Sequence, residues 1–258
     1  MGPGGGRLAG RPGGRLAGRP GGAVGAAWHN REMAASIELL RAGRLLVANP
    51  KLADANFERT VVMLVAYGEE GALGLVLNRP SEMSVRSPLP QWAHLSTDPA
   101  VMFLGGPVAH QAVICLARAL PGGTGRGASP APPGDRDLEV PAAGASFIAG
   151  LDEAGLGVGP RAVEGWKELD GDLGTLDLDI DPGAVAGRLG ALRLFAGYAG
   201  WAAGQLEGEI EAGAWWVLDA AHDDPFTPEP EALWKQVLLR QAEPLRLVAF
   251  YPDNPAWN

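Results

Sequence analysis

The stretch Gly197-Tyr-Ala-Gly-Trp-Ala-Ala-Gly-Gln-Leu-Glu-Gly-Glu209 constrains this chain more than any other. It follows the apolar run Leu192-Arg-Leu-Phe-Ala196, and its glycines, aromatics, amide and carboxylates suit a strand that turns sharply into a helix. With a helix starting near Trp201, Trp201, Gln205 and Glu209 share one face, Ala202, Leu206 and Ile210 form the adjacent apolar row, and Gly200, Gly204 and Gly208 make a third. Each glycine inside a helix costs ~1 kcal/mol relative to alanine, so something has to compensate for that row. One compensation is close packing of a second backbone, with Tyr198 and Trp201 as core aromatics. The other is a pocket at the helix N-terminus, where free N–H groups meet Tyr198, Trp201 and Gln205. Packing needs no ligand and is the simpler reading.

Upstream, three strand signals follow quickly. Leu45-Leu-Val-Ala48 is short and closed by Asn49-Pro50, Thr60 to Tyr67 is long and β-branched, and Ala72 to Asn78 ends at Arg79-Pro80. Gly68-Glu-Glu-Gly71 joins the last two as a hairpin. Val101–Leu104 and Ala112–Ala117 are further strands, separated by Gly105-Gly-Pro-Val108, whereas Val85 to Leu95 has room only for a short helix because of Pro88 and Pro90. Leu173 to Ile180 reads as a strand with Asp177, Asp179 and Asp181 on its solvated face. A short helix from Pro182, the strand Trp215–Leu218, a helix over Pro230–Arg240 and a strand Leu245–Tyr251 complete the pattern. Strands first and then strands mixed with helices argue for an α+β or irregular layered fold.

The ends of the chain read differently. Residues 5–20 hold the octad Gly-Gly-Arg-Leu-Ala-Gly-Arg-Pro twice in succession, so residues 1–36 read as an Arg/Gly-rich disordered tail, with translation from an internal Met33 as the plain explanation. Residues 37–258 form the domain, with a Gly/Pro-rich insertion at 121–141. The first 31 residues carry five arginines and no acid. Removing those five from 21 basic residues leaves 16 against 30 acidic ones, a net charge of −14 for the body beneath an overall −9. A body that acidic repels phosphate backbones, and no helix-turn-helix with a basic recognition helix accompanies it, so direct nucleic-acid binding by the folded body is disfavoured.

Catalytic signatures are missing. The sequence lacks a Gly-x-Ser-x-Gly elbow, a phosphate loop and a His-Glu-x-x-His helix; the four histidines are dispersed, and the three aspartates after Leu176 stand too far apart along a strand to share one ion. We therefore expect neither metal nor cofactor. The single Cys115 and the lack of an apolar stretch near ~18 residues point to a reducing, cytoplasmic setting without a membrane span.

These motifs together resemble the YqgE/AlgH family of bacterial proteins. The likeness is carried by Leu45-Leu-Val-Ala48 with Pro50, Asp54 and Phe57, by Arg59-Thr-Val-Val62, Gly71-Ala-Leu-Gly74, Asn78-Arg-Pro80 and Gly105-Gly-Pro-Val108, and by the whole Gly197–Glu209 run followed by Trp215. It spans residues 39 to about 255 and implies a single α+β domain: a mainly antiparallel, bifurcated, barrel-like sheet flanked by helices. It also implies a cytosolic bacterial protein of unestablished molecular activity, one whose family is commonly labelled a transcriptional regulator through a link to alginate production. The Arg/Gly tail has no counterpart in the family pattern, and the Pro121–Pro141 loop looks particular to this branch.

Carried over by position, the candidate binding residues are Asn78, Arg79, Gly105, Gly106, Pro107, Tyr198, Trp201, Gln205 and Glu207. They sit at three strand ends. If those ends converge, Arg79 is placed to pair with Glu207 or with a bound anion, and the simpler alternative is an ion pair that locks the loops. The leading expectation is a non-enzymatic regulatory or interaction protein with a protein or small-molecule partner. The alternative is a small-molecule-binding protein or enzyme with Arg79 as anion clamp and Glu207, buried beside Trp201, as general base.

Overall fold

The computed structural model describes residues 36–52, 54–121 and 165–252. The tail and insertion expected at 1–36 and 121–141 lie outside these residues apart from Ser36 and Pro121. Ten strands form one mostly antiparallel sheet. They are β1 (Leu45–Ala48), β2 (Val61–Gly68), β3 (Gly71–Val76), β4 (Pro80–Ser84), β5 (Val101–Leu104), β6 (Val108–Ala119), β7 (Trp166–Asp170), β8 (Leu173–Leu176), β9 (Leu189–Ala202) and β10 (Trp215–Leu218). Short helices accompany them, among them α1 (Pro182–Val185), α2 (Gln205–Glu211), α3 (Leu233–Leu239) and α4 (Leu245–Val248).

The main path runs β10-β1-β2-β3-β9-β6-β8-β7, and β5, with β4 on its far side, joins β9 in parallel. The sheet therefore forks at β9. The C-terminal half of β9 pairs with β3 through Ala199–Ala202, its middle with β5 through Phe195 and Ala196, and its other edge with β6. The result is a curled half-barrel with a few helices, the expected single α+β domain.

Both faces of the sheet are covered. In β1, Leu45 and Val47 enter the core closed by Trp234, Val237 and Leu238 of α3, while Leu46 and Ala48 enter a second core closed by Leu206 and Ile210 of α2. A third core packs Leu192 and Leu194 of β9 against Val85, Trp92 and Val185. Along β9 the alternation inverts at Gly197: Phe195 faces the first core and Leu194 the third, but beyond the glycine Tyr198 faces the first core and Ala199 and Trp201 the second. Gly197 has φ +73°, the left-handed backbone that lets a bulge shift facing by one residue. One strand thus serves three cores.

Four expectations are corrected. No helix begins near Trp201, because β9 continues to Ala202 and α2 starts only at Gln205, after Gly204 turns the chain with φ +73°. The Gly200/Gly204/Gly208 row approaches no other backbone: a Cβ on Gly204 or Gly208 meets open space, and one on Gly200 meets only the Tyr198 ring, at 3.4 Å. The close approaches fall instead at Gly71, Gly74, Gly105, Gly106, Gly174 and Gly197. β8 stops at Leu176 because the aspartates that follow turn the chain: Asp177 accepts from the N–H of Asp179, and Asp181 caps α1 by accepting from Gly183 N–H. The run at Leu245 is helix, not strand, with Leu245, Val248 and Ala249 reaching the first core at helical spacing.

Arg193 ties the fork to its surroundings. Its side chain is almost wholly buried without a carboxylate and donates to the carbonyls of Asp98, Pro225 and Thr227 at 2.9–3.0 Å, with the guanidinium 4.3 Å from the Phe103 ring centre. Burial pushes its pKa down to about 10, which leaves it cationic at neutral pH.

Candidate functional site

Two of the three strand ends named by the sequence, at Asn78-Arg79-Pro80 and Gly105-Gly-Pro107, converge on the middle of β9; the third is corrected, because Gly197–Gly200 lies within β9 and does not end it. Val76 N–H donates to the Gly105 carbonyl, Gly105 N–H to the Ala196 carbonyl, and Leu104 N–H to the Arg79 carbonyl, at 2.8–2.9 Å. They meet as a packed joint. A Cβ on Gly105 would lie 2.2 Å from the Gly197 oxygen, and one on Gly106, where φ is +155°, 2.2 Å from the Tyr198 carbonyl carbon. Asn78 is buried here and spans two strands as a backbone amide would: its Oδ1 accepts from Val61 N–H and its Nδ2 donates to the Arg59 carbonyl, both at 2.9 Å. Arg79 donates to the Glu58 carbonyl at 3.0 Å, Pro107 is exposed beside the joint, and Tyr198 packs against the first core.

Trp201, Gln205 and Glu207 belong to a second cluster, at the start of α2. The Glu209 carboxylate accepts from Trp201 Nε1 (3.0 Å), Trp215 Nε1 (2.8 Å) and Gln205 Nε2 (3.0 Å), while Gln205 Oε1 accepts from Ala202 N–H (3.1 Å). Phe57 completes the group, stacked on Trp201 and edge-on to Trp215. Glu207 accepts from the Tyr67 hydroxyl at 2.6 Å. Burial first, then the hydrogen bond and charge of Glu207, push the Tyr67 phenol up to about 12. Arg79 and Glu207 therefore have separate partners, Glu58 and Tyr67. In the first cluster Asn78 and Arg79 tie the end of β3 to the segment before β2, and in the second the polar groups hold α2 to β9, β10 and β2.

What lies open is a groove beside the joint. It has a volume of about 890 Å³, a floor of Met102, Leu104, Val113 and Ala196, and walls from Ser81–Ser84 of β4 and from His110 and Gln111 of β6. The floor is the last row of the face that the third core covers elsewhere. Met83 is 54% exposed and Leu104 47%, so two of the seven exposed large hydrophobics of the described residues line one opening. The side chains of Glu82, His110 and Gln111 engage no partner among the described residues. Neighbouring Ala109 has φ +48°, in a stretch where β6 slips register against β9. Among the described residues no group of three or more His, Cys, Asp and Glu could hold a metal ion, and no helix is long and apolar enough to cross a membrane.

The same β-strand framework recurs in known proteins. A family model described as AlgH-like matches residues 45–133 and 164–246. The chain belongs to the AlgH-like family. Within it, a UPF0301 protein of Streptomyces coelicolor is 43% identical over 216 residues, covering 84% of this chain and 94% of the relative. A UPF0301 protein of Mycobacteroides abscessus is 38% identical over 234 residues, covering 91% and 96%. Among solved structures, protein DIP2367 of Corynebacterium diphtheriae aligns with a TM-score of 0.63 at 27% identity, over 82% of this chain and 93% of its own. The solution structure of AlgH from Pseudomonas aeruginosa aligns with a TM-score of 0.50 at 27% identity, over 82% and 94%.

Sequence reasoning passed over the groove of this AlgH-like chain. Its residues come from a polar strand, Pro80-Ser-Glu-Met-Ser84, and from the irregular start of β6, neither of which carries a periodic signal. Tyr67 was equally unmarked, because nothing in sequence spacing links it to Glu207 in the helix 140 residues away. Trp215 was marked only as part of the family signature.

Proposed function

We propose that this AlgH-like protein works without catalysing a reaction, in the cytoplasm, by docking a partner protein on the face that carries the groove. The observation behind this reading is that exposed Met83 and Leu104 meet over an apolar groove floor, since exposed apolar groups gathered into a patch mark interaction surfaces more than scattered ones do. A regulatory effect, on transcription or otherwise, then passes through the partner. The candidate residues Asn78, Arg79, Gly105, Gly106, Pro107 and Tyr198 shape the joint beneath this face, Trp201 and Gln205 hold α2 to β9, and Glu207 holds α2 to β2.

A second reading, a small-molecule site, is favoured by one observation: a groove of about 890 Å³ falls within the ~300–1,000 Å³ usual for ligand pockets and has unengaged polar walls. A photo-crosslinking residue placed at Met83 or Leu104 in living cells separates the two. We expect a discrete protein adduct, lost in Leu104→Glu and missing from a control crosslinker at exposed Gly208. The absence of any adduct, together with a metabolite that raises the melting temperature of the wild type but not of Leu104→Glu, would overturn protein docking in favour of the small-molecule site.

A further inference from the structure

The stretch at residues 243–252 lies on the fold as a strap. Its backbone hydrogen bonds stay local: Arg246 N–H donates to the Ala242 carbonyl, Leu247 to Pro244, Ala249 to Arg246, Phe250 to Leu247 and Tyr251 to Val248, at 2.9–3.2 Å. Leu245, Val248 and Ala249 reach the first core, whereas Leu247 and Phe250 are left 57% and 65% exposed. Among the described residues, one side chain alone ties this stretch by hydrogen bonds to the rest of the fold. Arg59 Nη2 donates to the Tyr251 carbonyl at 2.9 Å and to the Pro252 carbonyl at 2.7 Å.

Arg59 adopts an uncommon backbone to do so. Its φ is +50°, in the left-handed region that residues other than glycine seldom occupy, and such a conformation persists where the surroundings over-determine it. Here they do. Asn78 Nδ2 donates to the Arg59 carbonyl at 2.9 Å, and the guanidinium lies 4.8 Å from the ring centre of Trp234, whose Nε1 donates to the Ala48 carbonyl of β1. The end of β3 and the start of α3 therefore hold Arg59 in place, and neither belongs to the strap. From this geometry we propose that residues 243–252 form a conformational latch, a strap that opens as a unit while the sheet stays folded, with Arg59 as its catch.

The contacts favour opening here ahead of the sheet. Opening costs three inward side chains and two charge-assisted hydrogen bonds, whereas β1 and β3 are buried along their whole length. Segments with few buried apolar groups and local backbone bonds are the ones that open first. Leu247 and Phe250 gain little from the closed position; Phe250 has Lys235 Nζ 5.9 Å from its ring centre. Once open, the strap withdraws Leu245, Val248 and Ala249 from the core that holds Trp234, Val237 and Leu238 of α3, and apolar surface hidden in the closed molecule comes into contact with solvent.

Hydrogen exchange read amide by amide by NMR on the full chain tests this. In the wild type we expect the amides of Arg246, Leu247, Ala249, Phe250 and Tyr251 to exchange about 100-fold faster than those of β1 and β3, relative to their intrinsic rates. Their exchange should also depend more weakly on urea, because a local opening exposes less surface. Arg59→Gly removes the catch and suits the left-handed backbone. It should speed strap exchange about ten-fold or more and leave β1 and β3 unchanged. Strap amides that exchange at the rate and with the urea dependence of the sheet overturn a separate opening, a result read on the wild type alone. An Arg59→Gly chain whose strap exchanges as slowly as the wild type's, or in which strap and sheet accelerate together, overturns Arg59 as the catch.

Discussion

At the scale of single residues, the glycines divide into those the fold requires and those it does not. Gly106 lies against the Tyr198 backbone with positive φ, so Gly106→Ala has to move one strand end off another. We expect a loss of about 3 kcal/mol or more, read as a lowered melting temperature. Gly208 is exposed inside α2, where a Cβ meets nothing, and Gly208→Ala should stabilise by about 0.5–1 kcal/mol through helix propensity alone. Opposite signs at two glycines of neighbouring motifs would confirm that the packing joint is the strand crossing and not the helix. This is also where the candidate site was least legible. The motifs mark the segments that meet, though Gly197–Gly200 proves to be mid-strand, and the residue types cannot distinguish a cradle for a ligand from two backbones in contact, because both need glycine for the same steric reason.

At the scale of elements, α2 is held by carboxylates and aromatics. Tyr67 of β2 donates to Glu207, and its phenol is raised to about 12 in the folded chain from an ordinary 10. A raised folded value means that this stabilisation is complete below pH 10 and is lost as the pH climbs toward 12. Chemical denaturation followed from pH 9 to 12 should show the wild type losing stability faster than Tyr67→Phe, with the two curves converging at the top of that range. The elements themselves were legible in proportion to how regularly they are buried. β1, β2, β3, β5 and β10 are apolar runs with clear ends, and the sequence marks them to within about a residue or two. β4 and β7 lie at sheet edges and alternate too little to stand out. α4 was mistaken for a strand because a short apolar run fits either period. The length of β9 was hidden by Gly197 and Gly200, which look like a turn but act as a bulge and a continuation.

At the scale of the whole molecule, charge and connectivity govern behaviour. A chain begun at Met33 has lost the five N-terminal arginines and keeps the acidic body, so we expect no salt-dependent mobility shift on duplex DNA even at low ionic strength. A shift that weakens with added salt would return direct nucleic-acid binding to consideration. Connectivity matters most at β9, which pairs with β3, β5 and β6 and yet is made long after all of them. While the chain emerges from the ribosome, β3 waits for Ala199–Ala202 across more than a hundred intervening residues, roughly 6 to 25 s at 5–20 residues per second. In that interval β3, and then β5 and β6 as they emerge, offer bare hydrogen-bonding edges to whatever lies nearby. A cell making this protein has to shelter those edges, and a ribosome stalled just short of Leu189 would release a chain in which none of them can close.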